Sequence, residues 1–168
     1  MLEIVTGPKT EILRQKAPLV ASFDAKLAKL IADMAATMRP AKGIGIAAPQ
    51  VNLSLQLFLI DKEAFSAKES TFKFLKGPDI DYSNYIVVIN PKLTLKDPVT
   101  TLAEEGCLSL PKKLGYVPRA KKVMLVGQTA KGETFKLQAK GLLARVIQHE
   151  FDHLQGTLIC DKFLKPSA

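Results

Sequence analysis

Apolar residues recur along this chain at two periods, and the changes of period divide it into elements. From Asp24 the spacing is helical. Leu27, Leu30, Ile31, Met34 and Met38 follow at steps of three and four, with Asp24 or Ser22 as N-cap and Pro40 as the stop. Residues 55–61 read as a buried strand, and residues 85–90 as a second one that Pro91 stops. Asp97-Pro98 lies between two short apolar runs, 92–96 and 99–103, which predicts a hairpin-like reversal. Lys131-Gly132 divides 121–129 from 133–139 in the same way. Residues 142–154 return to helical spacing through Leu142, Leu143, Val146, Ile147, Phe151 and Leu154, opened by a break at Gly141 and closed by Gly156. The first 21 residues, with Pro8 and Pro18, read as an irregular, partly docked arm. Residues 62–84, with Gly77-Pro78 at their centre, read as a long surface excursion. A helix, several antiparallel strands and a closing helix make an α+β order rather than alternating βαβ units.

The closing helix carries the chain's most chemical stretch, Gln148-His149-Glu150-Phe151-Asp152-His153. Both of the chain's two histidines are here, four residues apart. Positions i and i+4 share a helix face, so two imidazoles can grip one metal ion beside a carboxylate able to act as general base. The same spacing also suits two histidines at a core edge, bonded to backbone carbonyls. A catalytic site usually takes three protein ligands. Downstream of His153 only Cys160 and Asp161 could serve, and no His lies three residues beyond Gly156. Upstream, Cys107 sits in Glu104-Glu105-Gly106-Cys107-Leu108-Ser109-Leu110-Pro111, an odd place for a purely structural thiol, where a thiolate would suit a borderline-soft divalent metal and the alternative is a small buried apolar Cys.

Composition bounds the picture without altering it. At 168 residues the chain has the size of one domain, expected to span 1–168. No apolar run approaches the ~20 residues of a bilayer span, and Met1-Leu2-Glu3-Ile4-Val5 does not open a secretory signal, so a cytoplasmic protein without membrane attachment is expected. Two cysteines, neither in a C-x-x-C pair, make no disulfide framework. The net charge of +8 favours acidic partners, but the lysines are scattered, with Lys112-Lys113 and Lys121-Lys122 the densest pairs. Specific nucleic-acid recognition is not expected; weak attraction to a surface as anionic as a ribosome is open.

Gly43-Ile44-Gly45-Ile46-Ala47-Ala48-Pro49-Gln50 has glycines that let a backbone pass close to another object, but it lacks the third glycine of a dinucleotide fingerprint. Together with Glu105 to Ser109 and Gln148 to His153, in that order and spacing, it resembles the three motifs of the peptide deformylases. Asn90-Pro91 and Val117-Pro118-Arg119 extend the resemblance, which runs from the N-terminal arm to about residue 160. It implies antiparallel sheets packed around a central metal-binding helix. It further implies Cys107, His149 and His153 as metal ligands, with water in the fourth position, and Glu150 as general base and then acid. Gln50 and the Leu108 backbone N–H would hold the oxyanion, and Gly45 would contact the substrate backbone. Gly43, Ile44, Leu142 and Val146, with Leu108, would line the place of a methionine side chain. The implied metal is one divalent ion, iron(II) favoured, with zinc, nickel or cobalt also suited. The implied substrate is an N-formylmethionyl peptide. Three departures stand out. Residues 62–84 are longer than in compact members by roughly ten residues, an expected surface insertion. The chain ends too soon after the metal helix for a C-terminal helix. Leu108, not an acidic residue, follows Cys107, as in bacterial-type members. The competing readings are a metallopeptidase of the H-E-x-x-H type and a non-catalytic binding member of the fold.

Overall fold

The computed structural model describes residues 1–98 and 100–164. Its elements, in chain order, are α1 (Ala25–Met38), β1 (Gly45–Ala47), β2 (Leu57–Asp61), α2 (Lys62–Ser66), β3 (Thr71–Lys76), β4 (Tyr85–Leu95), β5 (Thr100–Cys107), β6 (Leu110–Ala120), β7 (Lys122–Gln128), β8 (Thr134–Lys140) and α3 (Leu142–Leu154). Six strands form one antiparallel sheet in the order β1-β2-β4-β7-β8-β3, and β5 and β6 form a separate hairpin.

The alternation of β2 decides which layer meets which face. Phe58 and Ile60 join Val88, Leu125, Leu137, Leu143 and Ile147 in the core between the sheet and α3. Leu57 and Leu59 point the other way, to Leu27, Ile31, Met34 and Met38 of α1. The sheet thus holds α3 on one face and α1 on the other, the arrangement expected of α+β antiparallel sheets around a C-terminal helix. Asp24 is the cap of α1, its carboxylate accepting the N–H groups of Lys26 and Leu27. The 121–139 reversal is the β7–β8 hairpin, with Gly132 at φ +81 in its turn.

Several elements differ from the sequence expectation. Pro91 does not stop the second strand. β4 continues to Leu95 because the register slips between Ile89 and Lys92, and the irregularity absorbs the missing Pro91 N–H. Asn90, at φ +50, turns the backbone there and ties it to the arm, bonding both Val20 N and O. The runs beside Asp97-Pro98 do not pair with each other: β4 belongs to the large sheet and β5 to the hairpin, so the chain changes layers there. Of the second run, Val99 lies outside the described residues. Nor is 62–84 irregular surface throughout. It supplies α2 with buried Ala64 and Phe65, and β3, the sheet's edge strand, with Phe72 and Phe74 in an edge-to-face cluster with Phe65 and Tyr82. β6, whose pattern is broken by prolines and glycine, was not visible in the sequence at all.

The arm docks as expected, through its backbone. Val5 N–H donates to Gln50 O, Gly7 N–H to Ser109 O, and Ala17 N–H to Leu154 O, each at 2.9 Å. It therefore touches two of the three stretches singled out in the sequence and the end of the helix that carries the third. Gly141 begins α3 at φ +72, where a Cβ would run into the Glu69 carbonyl. Gly141→Ala is expected to cost about 2 kcal/mol or more, lowering the melting temperature by roughly 4–8 °C. An unchanged midpoint in chemical denaturation would show that this close approach constrains nothing.

Candidate metal centre and cleft

α3 lays His149, Glu150 and His153 against the tip of the β5–β6 hairpin. Strand alternation places Cys107 of β5 on the side that faces the helix. The Cys107 Sγ lies 3.4 Å from His153 Nε2, and the two imidazole Nε2 atoms lie 3.3 Å apart. Tetrahedral bonds of ~2.3 Å to sulfur and ~2.0 Å to nitrogen would separate such donors by about 3.3–3.6 Å, and both of these spacings match. All lie within 4.8 Å of one another. The alternatives for the third ligand, Cys160 and Asp161, lie elsewhere, beside Arg14.

The surroundings favour positive charge at this point. His149 Nδ1 lies 3.0 Å from Glu105 Oε2, which fixes Nδ1 as the protonated nitrogen and turns the Nε2 lone pair toward Cys107 and His153. Burial lowers the His149 pKa, but its hydrogen bonds to Cys107 and Glu105 and the charge of Glu150 outweigh that and raise it to about 10. His153, buried and facing His149, is held well below its ordinary value.

Glu105 is the anchor of this arrangement. Arg119 grips it with two bonds of 2.9 Å, and Arg145 adds one of 2.7 Å. Burial pushes the Glu105 pKa up, but the hydrogen bonds from His149 and Arg119 hold it well below the usual carboxylate range. Arg119 also pairs with Asp152, one residue before His153, and Asp152 is met in turn by Lys162. Gln148 clamps α3 to the end of β6 through Ala120 N and O. None of these partners was assigned in the sequence. Glu105 stands two residues before Cys107, and Arg145 four before His149, so strand and helix periods could have flagged both; nothing local marks Arg119.

In front of the three donors opens a cleft of about 480 Å³. Gly43, Ile44, Gly45, Gln50, Cys107, Leu108, Leu142, Val146, His149 and Glu150 all line it. Every residue proposed from the sequence is thus at one site, with His153 buried just behind. Gly45 is glycine for a reason the sequence did not suggest: a Cβ there would collide with the Glu150 carboxylate. A Cβ on Gly43 would likewise meet Leu108. The Gln50 Oε1 accepts from Ala47 N at 2.9 Å, which turns its Nε2 toward Ser109 Oγ and the Cys107 sulfur. Glu150 Oε2 is buried and has no hydrogen-bond partner among the described residues. Burial raises Glu150 to about 7, with His149 pulling the other way.

An H-E-x-x-H helix with a cysteine against its two histidines, beneath an apolar cleft, defines a metal-dependent hydrolase. The polypeptide deformylase family model matches residues 1–168, and the chain belongs to that family. It is 40% identical over 162 residues to peptide deformylase 1 of Bacillus cereus, spanning 96% of this chain and 92% of that one. Its structure is similar to the peptide deformylase of Thermotoga maritima, with a TM-score of 0.82 at 36% identity, covering 98% of this chain and 99% of the other. It is equally similar to the peptide deformylase of Synechococcus elongatus in complex with actinonin, with a TM-score of 0.83 at 36% identity, covering 98% and 82%. The chain is accordingly an enzyme of protein biosynthesis that removes the formyl group from N-terminal methionine.

Glu105→Gln is expected to weaken metal affinity by about 10–100-fold and to cost about 3–5 kcal/mol of stability, since two guanidinium groups lose their anion. Because the folded pKa of Glu105 is depressed, its contribution is complete above its unfolded value of about 4.3 and drains away as pH falls below it. The variant should therefore show a shallower loss of stability between about pH 5 and pH 3 than the parent; parallel acid-unfolding curves would refute this role.

Proposed function

We propose that Cys107, His149 and His153 hold one divalent metal ion and that Glu150, Gln50, Leu108 and Gly45 carry out deformylation beside it. The observation that supports this most directly is that His153 Nε2 lies 3.4 Å from Cys107 Sγ and 3.3 Å from His149 Nε2, with all three donors within 4.8 Å of one another beneath the cleft. A thiolate with two imidazoles suits iron(II), zinc, nickel or cobalt, and iron(II) is the metal the family resemblance favours. When bound, the ion supplies Lewis acidity and lowers the pKa of water at the site toward neutrality.

The chain's own residues do the rest. Glu150 takes up a proton as water oxygen bonds to the formyl carbon, and returns it to the amine nitrogen as the carbon–nitrogen bond breaks, leaving formate and a free N-terminus. Gln50 Nε2 and the Leu108 N–H donate to the formyl oxygen while negative charge builds on it. Gly45 keeps room for the Glu150 carboxylate and offers its backbone to the substrate. Gly43, Ile44, Leu142 and Val146, with Leu108, form the apolar wall for the methionine side chain. The narrow space over Gly43 and Gly45 favours a formyl group over larger acyl groups. The chain acts as one catalytic domain over residues 1–168, with 62–84 contributing α2 and the edge strand β3. It works in the cytoplasm, where its net charge of +8 supports weak association with the ribosome. Neither specific nucleic-acid recognition nor membrane binding is proposed. The structure bears on the latter only in that, among the described residues, no helix is long and apolar enough to cross a membrane.

A formyl-Met peptide assay with metal analysis tests these assignments. Gln50→Leu should lose turnover by about a hundredfold or more with metal retained. Glu150→Ala should bind metal and be nearly inactive, whereas Cys107→Ala should lose the metal itself. A metallopeptidase that did not use Cys107 would tolerate that last change, and a binding-only protein would turn over nothing. Metal content measured with and without air, beside activity, separates iron(II) from its competitors. Because Glu150 must be ionised to accept a proton and its pKa is raised to about 7, kcat/KM should fall about tenfold per pH unit on the acid side. Positive charge at the neighbouring donors places this limb at or below about pH 7. A flat profile from about pH 4 to pH 8 would remove Glu150 as the base.

A further inference from the structure

We propose that Lys42, Lys112 and Lys113 select formyl-Met peptides that carry an acidic side chain downstream of the methionine. This rests on the deformylase reading and adds a determinant of substrate choice to it. The three lysines come from the two segments that flank the cleft, and all three line it. Lys42 immediately precedes the Gly43-Ile44-Gly45 stretch. Lys112 and Lys113 stand where β6 leaves β5, between the Cys107–Leu110 and Glu105–Gly115 pairs. A peptide whose first residue lies against Gly45 and Leu108 must leave the cleft past this rim.

The charges there are uncommitted. All three lysines are exposed, and none has an ion-pair partner among the described residues. Arg145 also lines the cleft, but its guanidinium is spent on Glu105, Val117 O and Thr101. The opposing free charge on the rim is Glu104, so three ammonium groups face one carboxylate outside the buried site. Backbone conformation sets two of the three apart from ordinary surface lysines. Lys42 at φ +58 and Lys112 at φ +64 both occupy the left-handed region, where glycine or asparagine would be the easier residue. A turn that needed only its geometry would be served better by glycine. A lysine at each such position puts a long cationic side chain at the mouth.

Steady-state kinetics of the metal-loaded enzyme on three formyl-Met-Ala-X peptides, with X as Asp, Ser or Lys, tests the proposal. At ~10 mM ionic strength kcat/KM is expected to fall in the order Asp, Ser, Lys, with about a tenfold span carried by KM, and the span should shrink at ~150 mM as the Debye length contracts from ~30 to ~8 Å. The Lys112→Glu/Lys113→Glu variant should invert the order, with the change carried by KM. Lys112→Gly, which suits the backbone, should keep or raise stability while narrowing the span. Equal values for the three peptides, or an order unchanged in the double variant, would overturn the selection and leave deformylation standing. Failure of all three peptides to react would overturn the catalytic reading and the selection with it.

Discussion

One buried carboxylate joins the parts of this protein that matter for chemistry. Glu105 on β5 is held by Arg119 from β6, by Arg145 from the first turn of α3 and by His149 one turn further on. Taking a carboxylate out of water is costly, and it is tolerated here because two guanidinium groups and an imidazole N–H meet both oxygens. The network sets the distance between hairpin and helix. That distance is what lets a sulfur from β5 and two nitrogens from α3 converge.

The rest of the fold supports this contact from behind. The six-stranded sheet presents Phe58, Ile60, Leu125 and Leu137 to α3 and fixes its position, while Gln148 locks the helix to Ala120. The N-terminal arm binds the back of the Gln50 turn, the tip of the cysteine hairpin and the end of α3 through backbone N–H groups. Backbone bonds of this kind depend little on side-chain identity, so an irregular segment of unremarkable composition can still tie the Gln50 turn, the cysteine hairpin and α3 together.

Environment assigns opposite states to two glutamates that serve one site. Glu105, surrounded by cations, is held ionised and orients a ligand. Glu150, buried against Gly45 with one oxygen unpaired, is raised to about 7 and can exchange a proton near neutral pH. On the proposed mechanism the same residue type therefore does structural electrostatics in one place and proton transfer in the other.

Local pattern made much of this legible. Helical spacing placed α1 and α3, and turn residues found the β7–β8 hairpin. The three motifs named the residues that surround the donor atoms, because each lies in a short stretch whose own geometry is local, but Lys42, Lys112, Lys113 and Arg145, which also line the cleft, went unassigned. What failed depended on distant partners. The continuation of β4 through Pro91, the role of 62–84 as an edge strand and the whole of β6 follow from strand pairing across the sheet, which no local window contains. The glutamate–arginine network was hidden for the same reason: Glu104 and Glu105 are indistinguishable until the hairpin turns one toward α3 and the other toward solvent. Sequence alone settled which side chains are available for the chemistry. Only the tertiary structure decided that Cys107 meets His149 and His153, since a contact spanning more than forty residues is made by packing and charge pairing rather than by spacing.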